Sequence, residues 1–327
     1  MPTTITLTVN PAIDVSTSVH SFVPFSKLRG TPPHREPGGG GVNVARVIKR
    51  LGGDVAAIYP AGGTMGQLLR LLIEREGVTS FAIEAEAETR ENFTVVETSS
   101  GMQYRFVLPG AALHEHEWRG CLDALSSLPS TPSFVVASGS LPSSVPDDFY
   151  GRVAKLATAR GARIAIDASG PPLVAALEQG VDLIKPNLRE FQELTGSVSD
   201  DEDHWIEAGR RLIAQGRTRL IALSLGEDGA LLISRDETLR AKSLAINAVS
   251  VVGAGDSFLA GLVWRLVVSS DLADALRYAM AAGTAAILNP GTSLSKREDV
   301  LRLYNEVEVF RITASAAGTT RRQAQRV

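Results

Sequence analysis

The sequence predicts an α/β protein built on a parallel sheet with helices on both faces. Two observations predict it. From about Pro109 onward, short apolar β-type runs alternate with stretches of helical period, which is the pattern of a parallel sheet covered on both sides. In addition, two glycine-rich turns, Gly38-Gly39-Gly40-Gly41 and Gly253-Ala254-Gly255, each run into a helical pattern, so each sets bare backbone at a helix N-terminus. A chain of 327 residues, 44% hydrophobic and with a net charge of −3, can bury a substantial core in one large or two small domains.

Taken in order, Ile5 to Val9 reads as the first strand, and Asn10-Pro11 ends it in a turn. Asp14 therefore falls just past a strand end, where α/β proteins bind ligands. Lys27-Leu28-Arg29 lies among Pro24, Pro32, Pro33 and Pro37, with no helical period, and reads as an edge strand or small subdomain. After the first glycine run, Val42, Ala45, Ile48 and Leu51 keep helical spacing until Gly52-Gly53 stops it. Asn43 in that first turn could hydrogen-bond a polyol. Val55 to Tyr59 is a buried-type strand, and Met65 to Glu76 an amphipathic helix stopped by Gly77. Phe93–Thr98 and Tyr104–Leu108, split by Ser99-Ser100-Gly101, form a hairpin signal. Arg90 stands just before the hairpin and Arg105 within it. With Lys27 they supply three cations that together could clamp a phosphate, since arginine offers two parallel donors.

Further on, strands are expected at Phe134–Ala137, Ile164–Ile166, Val181–Ile184 and Leu220–Leu225, with more β-rich sequence around Leu231 and Leu239. Their ends carry Ser138-Gly139-Ser140, Asp167, Lys185-Pro186-Asn187 and Gly226. Helices are expected at Asp147–Ala159, Asp256–Val268 and Leu272–Ile287. The chain is organised around the second glycine turn. Its N–H groups and the positive end of the following helix converge on one point and suit an anion. Asp256 within it is poorly placed to hold a phosphate but well placed to accept a proton from an attacking hydroxyl. Donors and a base meeting at one point suggest phosphoryl transfer to an alcohol.

Composition excludes other classes. A near-neutral charge with a pI of about 6.0 argues against a nucleic-acid binder. The single Cys121 allows no internal disulfide and reads as a buried apolar filler. The N-terminus shows no signal-peptide pattern, and no apolar stretch is long enough to span a bilayer, so a cytoplasmic protein without membrane partners is expected. Residues 311–327, small, polar and basic, are expected to form a disordered tail.

The early Gly38-Gly39-Gly40-Gly41-Val42-Asn43 and the late Gly253-Ala254-Gly255-Asp256, with Lys185-Pro186-Asn187 and Glu190 between them, resemble the signatures of the ribokinase-like (PfkB) sugar-kinase family. The resemblance covers nearly the whole chain. It implies a kinase domain over 1–310: a parallel-sheet sandwich with helices on both faces and a small β-sheet lid from about 15–36 and 88–108. Pro60-Ala61-Gly62-Gly63, Gln103 to Leu113 and Ser138-Gly139-Ser140-Leu141-Pro142 resemble the minor (type 2) 6-phosphofructokinases. Relatives that act as 1-phosphofructokinases or tagatose-6-phosphate kinases usually carry lysine in the glycine run, where this chain has Gly40.

By resemblance, Asp256 is the base, and the N–H groups of Gly253, Ala254 and Gly255 form the anion hole. Asp14, Gly39, Asn43 and Gly139 hold the sugar, and Lys27, Arg90 and Arg105 hold its phosphate. Lys185 and Asn187 serve the nucleotide phosphates, and Asn187 and Glu190 hold Mg²⁺ through water. Ser224, Gly226 and Gly229, with Asn247 or Ala248, Met280 and Thr284 around the base, belong to the ATP site. A K⁺ site would use Ser250, Val252, Ala286, Asn289, Gly291 and Ser293, the last at a position where the family often carries arginine. The implied reaction is ATP-dependent phosphorylation of fructose 6-phosphate by a homodimer paired through its lids. The alternatives are the two related sugar-phosphate kinases or a non-catalytic sugar-phosphate sensor.

Overall fold

The computed structural model describes residues 3–197, 199–313 and 323–327. The chain opens with β1 (Thr4–Leu7), β2 (Ala12–Val19) and β3 (His34–Gly38), followed by α1 (Gly40–Arg50), β4 (Val55–Gly62) and α2 (Gly63–Arg75). Then come β5 (Thr79–Ala85), β6 (Arg90–Glu97), β7 (Gln103–Phe106), α3 (Glu115–Ser126), β8 (Phe134–Ser138) and α4 (Phe149–Ala159). β9 (Arg163–Asp167), α5 (Pro171–Glu178), β10 (Val181–Ile184), α6 (Leu188–Thr195), α7 (Glu202–Ala214) and β11 (Thr218–Ser224) continue the alternation. The C-terminal third holds β12 (Ala230–Ile233), β13 (Thr238–Ala241), α8 (Ala254–Val268), α9 (Leu272–Ile287), α10 (Arg297–Tyr304), β14 (Val309–Thr313) and β15 (Gln323–Arg326).

Eleven strands form one sheet in the order β15-β14-β13-β12-β11-β10-β9-β8-β1-β4-β5. It is parallel from β11 to β5 and antiparallel from β11 to β15. Successive residues of a strand point to opposite faces. Phe134 and Val136 of β8 enter one core, with α1, α2, α8, α9 and α10, while Val135 and Ala137 enter the other, with α3 to α7. Burial on both faces explains why these strands read as continuous apolar runs rather than alternating ones. Each fully buried Ile, Leu or Phe on them contributes about 1.5–3 kcal/mol. Cys121 is one such filler on α3, and burial pushes its thiol up to about 12.

A second sheet of four strands, β3-β2-β6-β7, stands apart; it is the sheet expected as the lid, where the sequence placed β-rich segments without helical period. β6 and β7 are the expected hairpin, antiparallel from Phe93 opposite Phe106 to Val96 opposite Gln103. The expected disordered tail is corrected over its two ends. Phe310 to Thr313 continues β14 along β13, and Gln323–Arg326 pairs with β14. Backbone ladders do not need apolar side chains, so the composition of the segment gave no sign of them. The remainder of the expected tail, 314–322, lies outside the described residues.

Candidate active site

The site is built where strand ends meet the two glycine turns. α8 is apolar on nearly every side and buried between the sheet and α9, as a core helix should be. Gly261 lets α9 approach closely: a Cβ there would stand 2.8 Å from the Tyr278 carbonyl and 2.9 Å from Ala282. This packing fixes the direction of the α8 N-terminus. Gly253 caps it at φ 75°, a left-handed conformation that glycine adopts without strain. Asp256 follows in the first turn. At the other turn, Gly39 adopts φ 107° and caps α1.

Together they line a cleft of about 620 Å³. Its walls include Asp14, Gly39, Asn43, Arg90, Arg105, Gly139, Lys185, Glu190, Val252, Gly253, Gly255 and Asp256, so most of the sugar-side residues expected from the sequence are brought together. Asn43 Nδ2 donates to Asp256 Oδ2 at 2.8 Å. Asn92 Nδ2 donates to Asp14 Oδ1 at 2.9 Å. Gly139 is held by Tyr150, whose hydroxyl donates to its carbonyl at 2.7 Å. Arg90 spends its guanidinium on the backbone, donating to the Asn10 carbonyl at 3.0 Å and the Leu108 carbonyl at 2.8 Å. Arg105 is exposed at the cleft wall and donates no side-chain hydrogen bond among the described residues.

Lys27 is not in the cleft. It sits in an exposed turn between β2 and β3, beside the exposed Val23, Phe25 and Leu28.

Two residues matter more than the sequence reading allowed. Asp167 ends β9, and its Oδ1 lies 3.1 Å from the buried Lys185 ammonium, while Ser138 Oγ donates to its Oδ2 at 3.3 Å. Asn92 neighbours Asp14 across the lid. The signal for Asp167 was visible, a carboxylate at the end of Ile164-Ala165-Ile166; for Asn92 there was none.

The charges are mutually tuned. Burial pushes the Asp256 carboxyl up to about 6, and repulsion from Asp167 and Asp14 adds to it, against the Asn43 hydrogen bond and the pull of Lys185. Burial also raises Asp14, outweighing Asn92, Arg46, Arg105 and Arg90. Burial opposes the Lys185 charge, but Asp167, Asp256 and Glu190 outweigh it and hold the ammonium protonated. A Cβ on Gly255 would stand 3.4 Å from the Lys185 Nζ, so this cation is beside the α8 turn.

Of the residues expected on the nucleotide side, Lys185 and Glu190 line the cleft and the others lie beyond its lining. Asn187 caps α6 and exchanges bonds with Glu190: Glu190 N donates to Asn187 Oδ1 and Asn187 N to Glu190 Oε2, both at 2.9 Å. Ser224, at the end of β11, joins the same corner, its N–H donating to the Pro186 carbonyl at 3.1 Å. Gly226 and Gly229 bound the following 3₁₀ turn, Ala248 is in an exposed loop, and Met280 and Thr284 are buried on α9. The residues expected on the K⁺ side lie on two segments, 249–252 and 286–293, joined by hydrogen bonds. Ser250 Oγ donates to the Gly291 carbonyl at 2.8 Å, Val249 N to Ile287 O at 2.7 Å, and Asn289 N to Ala286 O at 3.1 Å. Val252 N donates to Ser250 Oγ at 3.3 Å, and Ser293 N to Pro290 O at 3.3 Å.

This geometry agrees with what the sequence shares with known proteins. It matches the pfkB family carbohydrate kinases over residues 7–299. The chain belongs to that family. This kinase is 43% identical over 303 residues to an ATP-dependent 6-phosphofructokinase isozyme 2 of Mycobacterium tuberculosis, over 93% of this chain and 89% of the relative. Its fold is similar to that of phosphofructokinase-2 from Escherichia coli in complex with potassium, at TM-score 0.89 and 37% identity over 94% of this chain and 99% of the other. The same E. coli protein in complex with fructose-6-phosphate gives TM-score 0.88 and 36% identity over 94% and 99% of the two chains. The family's architecture, a parallel-dominated sheet with helices on both faces and a separate small sheet, is the one the sequence predicted.

Proposed function

We propose that this kinase transfers the terminal phosphoryl group of ATP to fructose 6-phosphate, giving fructose 1,6-bisphosphate. The observation that carries the reading is Asp256: a half-buried carboxylate at the N-terminus of α8, held by Asn43 and raised to about 6. A base whose pKa lies just below the working pH is ionised yet still basic. Asp256 takes the proton of the acceptor hydroxyl as that oxygen bonds to the phosphorus. The bond from phosphorus to the bridging oxygen breaks, and ADP leaves. The N–H groups of Gly253, Ala254 and Gly255, the α8 dipole and Lys185 offset the charge on the transferred group.

Asp14, Asn43, Gly39 and Gly139 hold the sugar hydroxyls. Arg105 reads the existing phosphate, and Arg90 supports it while bracing the lid. Gly40 supports setting the 1-phosphofructokinase alternative aside, because the lysine usual in that branch is absent here and a Cβ at this position would meet Ser138 Oγ.

The residues present fit the two cations. Glu190 faces the cleft with oxygen donors suited to Mg²⁺, and its capping role with Asn187 favours contact through water. Mg²⁺ there would neutralise phosphate charge. The carbonyls and hydroxyls of the 250–252 and 286–293 loops are uncharged, a donor set that suits a monovalent cation such as K⁺. The lid presents exposed Val23, Phe25, Leu28, Tyr104, Phe106 and Val107. A patch of this kind marks an association surface, and it supports a homodimer paired through the lids.

The test is ADP release from Mg-ATP with fructose 6-phosphate, fructose 1-phosphate, tagatose 6-phosphate, fructose and ribose, with and without K⁺. A clear preference for fructose 6-phosphate is expected. Preference for another sugar overturns the substrate, and binding without turnover on any sugar overturns the reaction.

A further inference from the structure

Beneath the sugar side of the cleft lies a charged residue that the reaction above does not use. Arg46 is 1% exposed, one helical turn after Asn43 on α1. Its Nη1 donates to Asn43 Oδ1 at 3.3 Å and to the Pro37 carbonyl at 2.8 Å, just before the glycine run. Its Nη2 reaches Glu36 Oε1 at 3.0 Å, and its Nε donates to Glu76 Oε1 at 2.9 Å. Glu36 is buried in the middle of β3, and its second oxygen accepts from Thr292 Oγ1 at 2.7 Å. Glu76 also pairs with Arg50 at 2.6 Å, so two arginines offset two glutamates.

A cluster of this kind is a poor way to gain stability, since desolvation consumes most of the attraction and well-packed apolar residues often serve as well. What it supplies is orientation. A carboxamide has one accepting oxygen and one donating nitrogen. With Arg46 donating to the oxygen, the nitrogen of Asn43 must face Asp256, where it donates at 2.8 Å. The flipped amide would set donor against donor at Arg46 and acceptor against acceptor at Asp256.

We propose that Arg46 is a positioning residue for the general base: it fixes the Asn43 amide so that its N–H holds the Asp256 carboxylate toward the acceptor hydroxyl, and Glu36, anchored by Thr292, holds Arg46. The proposal rests on the phosphoryl-transfer reading of Asp256. The other groups facing Asp256 are Asp167 after β9, Lys185 after β10 and Asp14 on β2. None of them is hydrogen-bonded or ion-paired to Arg46; Arg46 acts on Asp14 through its charge alone, which a lysine keeps, so Arg46→Lys reaches Asp256 through Asn43.

The experiment is the pH profile of kcat/KM for fructose 6-phosphate in wild type, Arg46→Lys, Asn43→Ala and the double variant, with ADP affinity from calorimetry. A lysine cannot span the Asn43, Pro37 and Glu36 oxygens at once. Arg46→Lys is expected to lower kcat by roughly 10- to 100-fold, and to move the acidic limb up by about half to one pH unit, because Asp256 loses its donor. ADP affinity should stay within about twofold, since the nucleotide side does not touch the cluster. In the Asn43→Ala background Arg46→Lys should add no further shift. An unmoved limb in Arg46→Lys, or shifts that add in the double variant, overturns the proposal.

Should Arg46→Lys fail to fold, Thr292→Val loosens the same anchor and must move the limb in the same direction, and an unmoved limb there is equally decisive. Wild-type protein with no turnover on fructose 6-phosphate would instead remove the functional reading. In that event the Asp256 carboxyl titration, followed by ¹³C NMR in the same variants, still decides the Arg46 proposal.

Discussion

The two glycine turns look alike in sequence and feed two helices that pack against each other, yet they are bare for different reasons. At the first, space is already filled. A Cβ on Gly38 would collide with the Asp14 carboxylate, one on Gly40 with Ser138 Oγ, and one on Gly41 would stand 2.7 Å from the Leu7 carbonyl. At the second, Gly253, left-handed like Gly39, would also carry its Cβ into Leu294, but a Cβ on Gly255 would meet only the flexible end of Lys185 at 3.4 Å. The first turn is a packed floor that sets Asp14 and Asn43 into the cleft. The second keeps open room beside a cation and a helix N-terminus, where an anion can enter. A glycine motif therefore identifies a close approach, but only the neighbours tell whether protein or ligand makes it.

The largest effect expected from either turn is at Asp256. Asp256→Asn should lower kcat by roughly 10²–10⁴-fold with little change in ATP affinity, read by steady-state kinetics. Near-normal turnover would remove it as the base. Next comes the comparison itself. Gly40→Ala forces Ser138 or the backbone to move and should cost about 1–3 kcal/mol of stability together with sugar binding. Gly255→Ala should leave thermal unfolding nearly unchanged and lower kcat. If the two variants unfold alike, the contrast between a filled and an open turn fails.

A smaller effect separates the two arginines. Arg105→Ala should raise the KM for fructose 6-phosphate about tenfold or more while changing stability by less than about 0.5 kcal/mol, because its side chain supports no described hydrogen bond. Arg90→Ala should raise KM and also lower the melting temperature, since it leaves the Asn10 and Leu108 carbonyls without their donor.

The last prediction concerns stability against pH. The folded pKa of Asp256 is raised, so the protonated form favours folding at low pH, and that contribution is lost as pH rises through about 6. At pH 8 the ionised carboxylate costs at most about 3 kcal/mol relative to the unfolded chain. Asp256→Asn should therefore raise the melting temperature at pH 8 and change it far less at pH 4. An equal gain at both values would show that ionisation is not the cause.

Most of the fold was legible because its strands are buried on both faces and its glycine turns stand at strand-to-helix junctions. Val181–Ile184 and Leu272–Ile287 have the limits their periodicity indicates. The β14–β15 pairing was not legible, because hydrogen bonds between backbones leave no compositional trace. At the site, Asn43, Arg105 and Asp256 could be named from a glycine turn or a hairpin, whereas Asp14, expected in a loop just past the first strand, lies inside β2, paired with Glu36 and Asn92. Arg46 could not be read this way: as a lone arginine inside a helical period it resembles a solvated face, and only long-range neighbours such as Glu36 and Thr292 show it buried. Lys27, in an exposed turn, lies outside the cleft of its own chain, and a charge in an irregular loop carries no direction in the sequence.

The lid strand β2 begins in the floor of the cleft, and in register with β6 it sets Asp14 beside Asn92 and Ala12 beside Arg90. Three of the groups expected to hold the sugar phosphate, Asp14, Arg90 and Arg105, are therefore rungs of the lid itself. A molecule that bridges floor and lid stiffens both at once, and one too small to bridge them does neither. Water is too small. ATP bound alone should consequently be hydrolysed far more slowly than it is consumed with the sugar present, a ratio that ADP release with and without fructose 6-phosphate measures directly. Economy with the nucleotide would then follow from strand register, with no separate device to guard it.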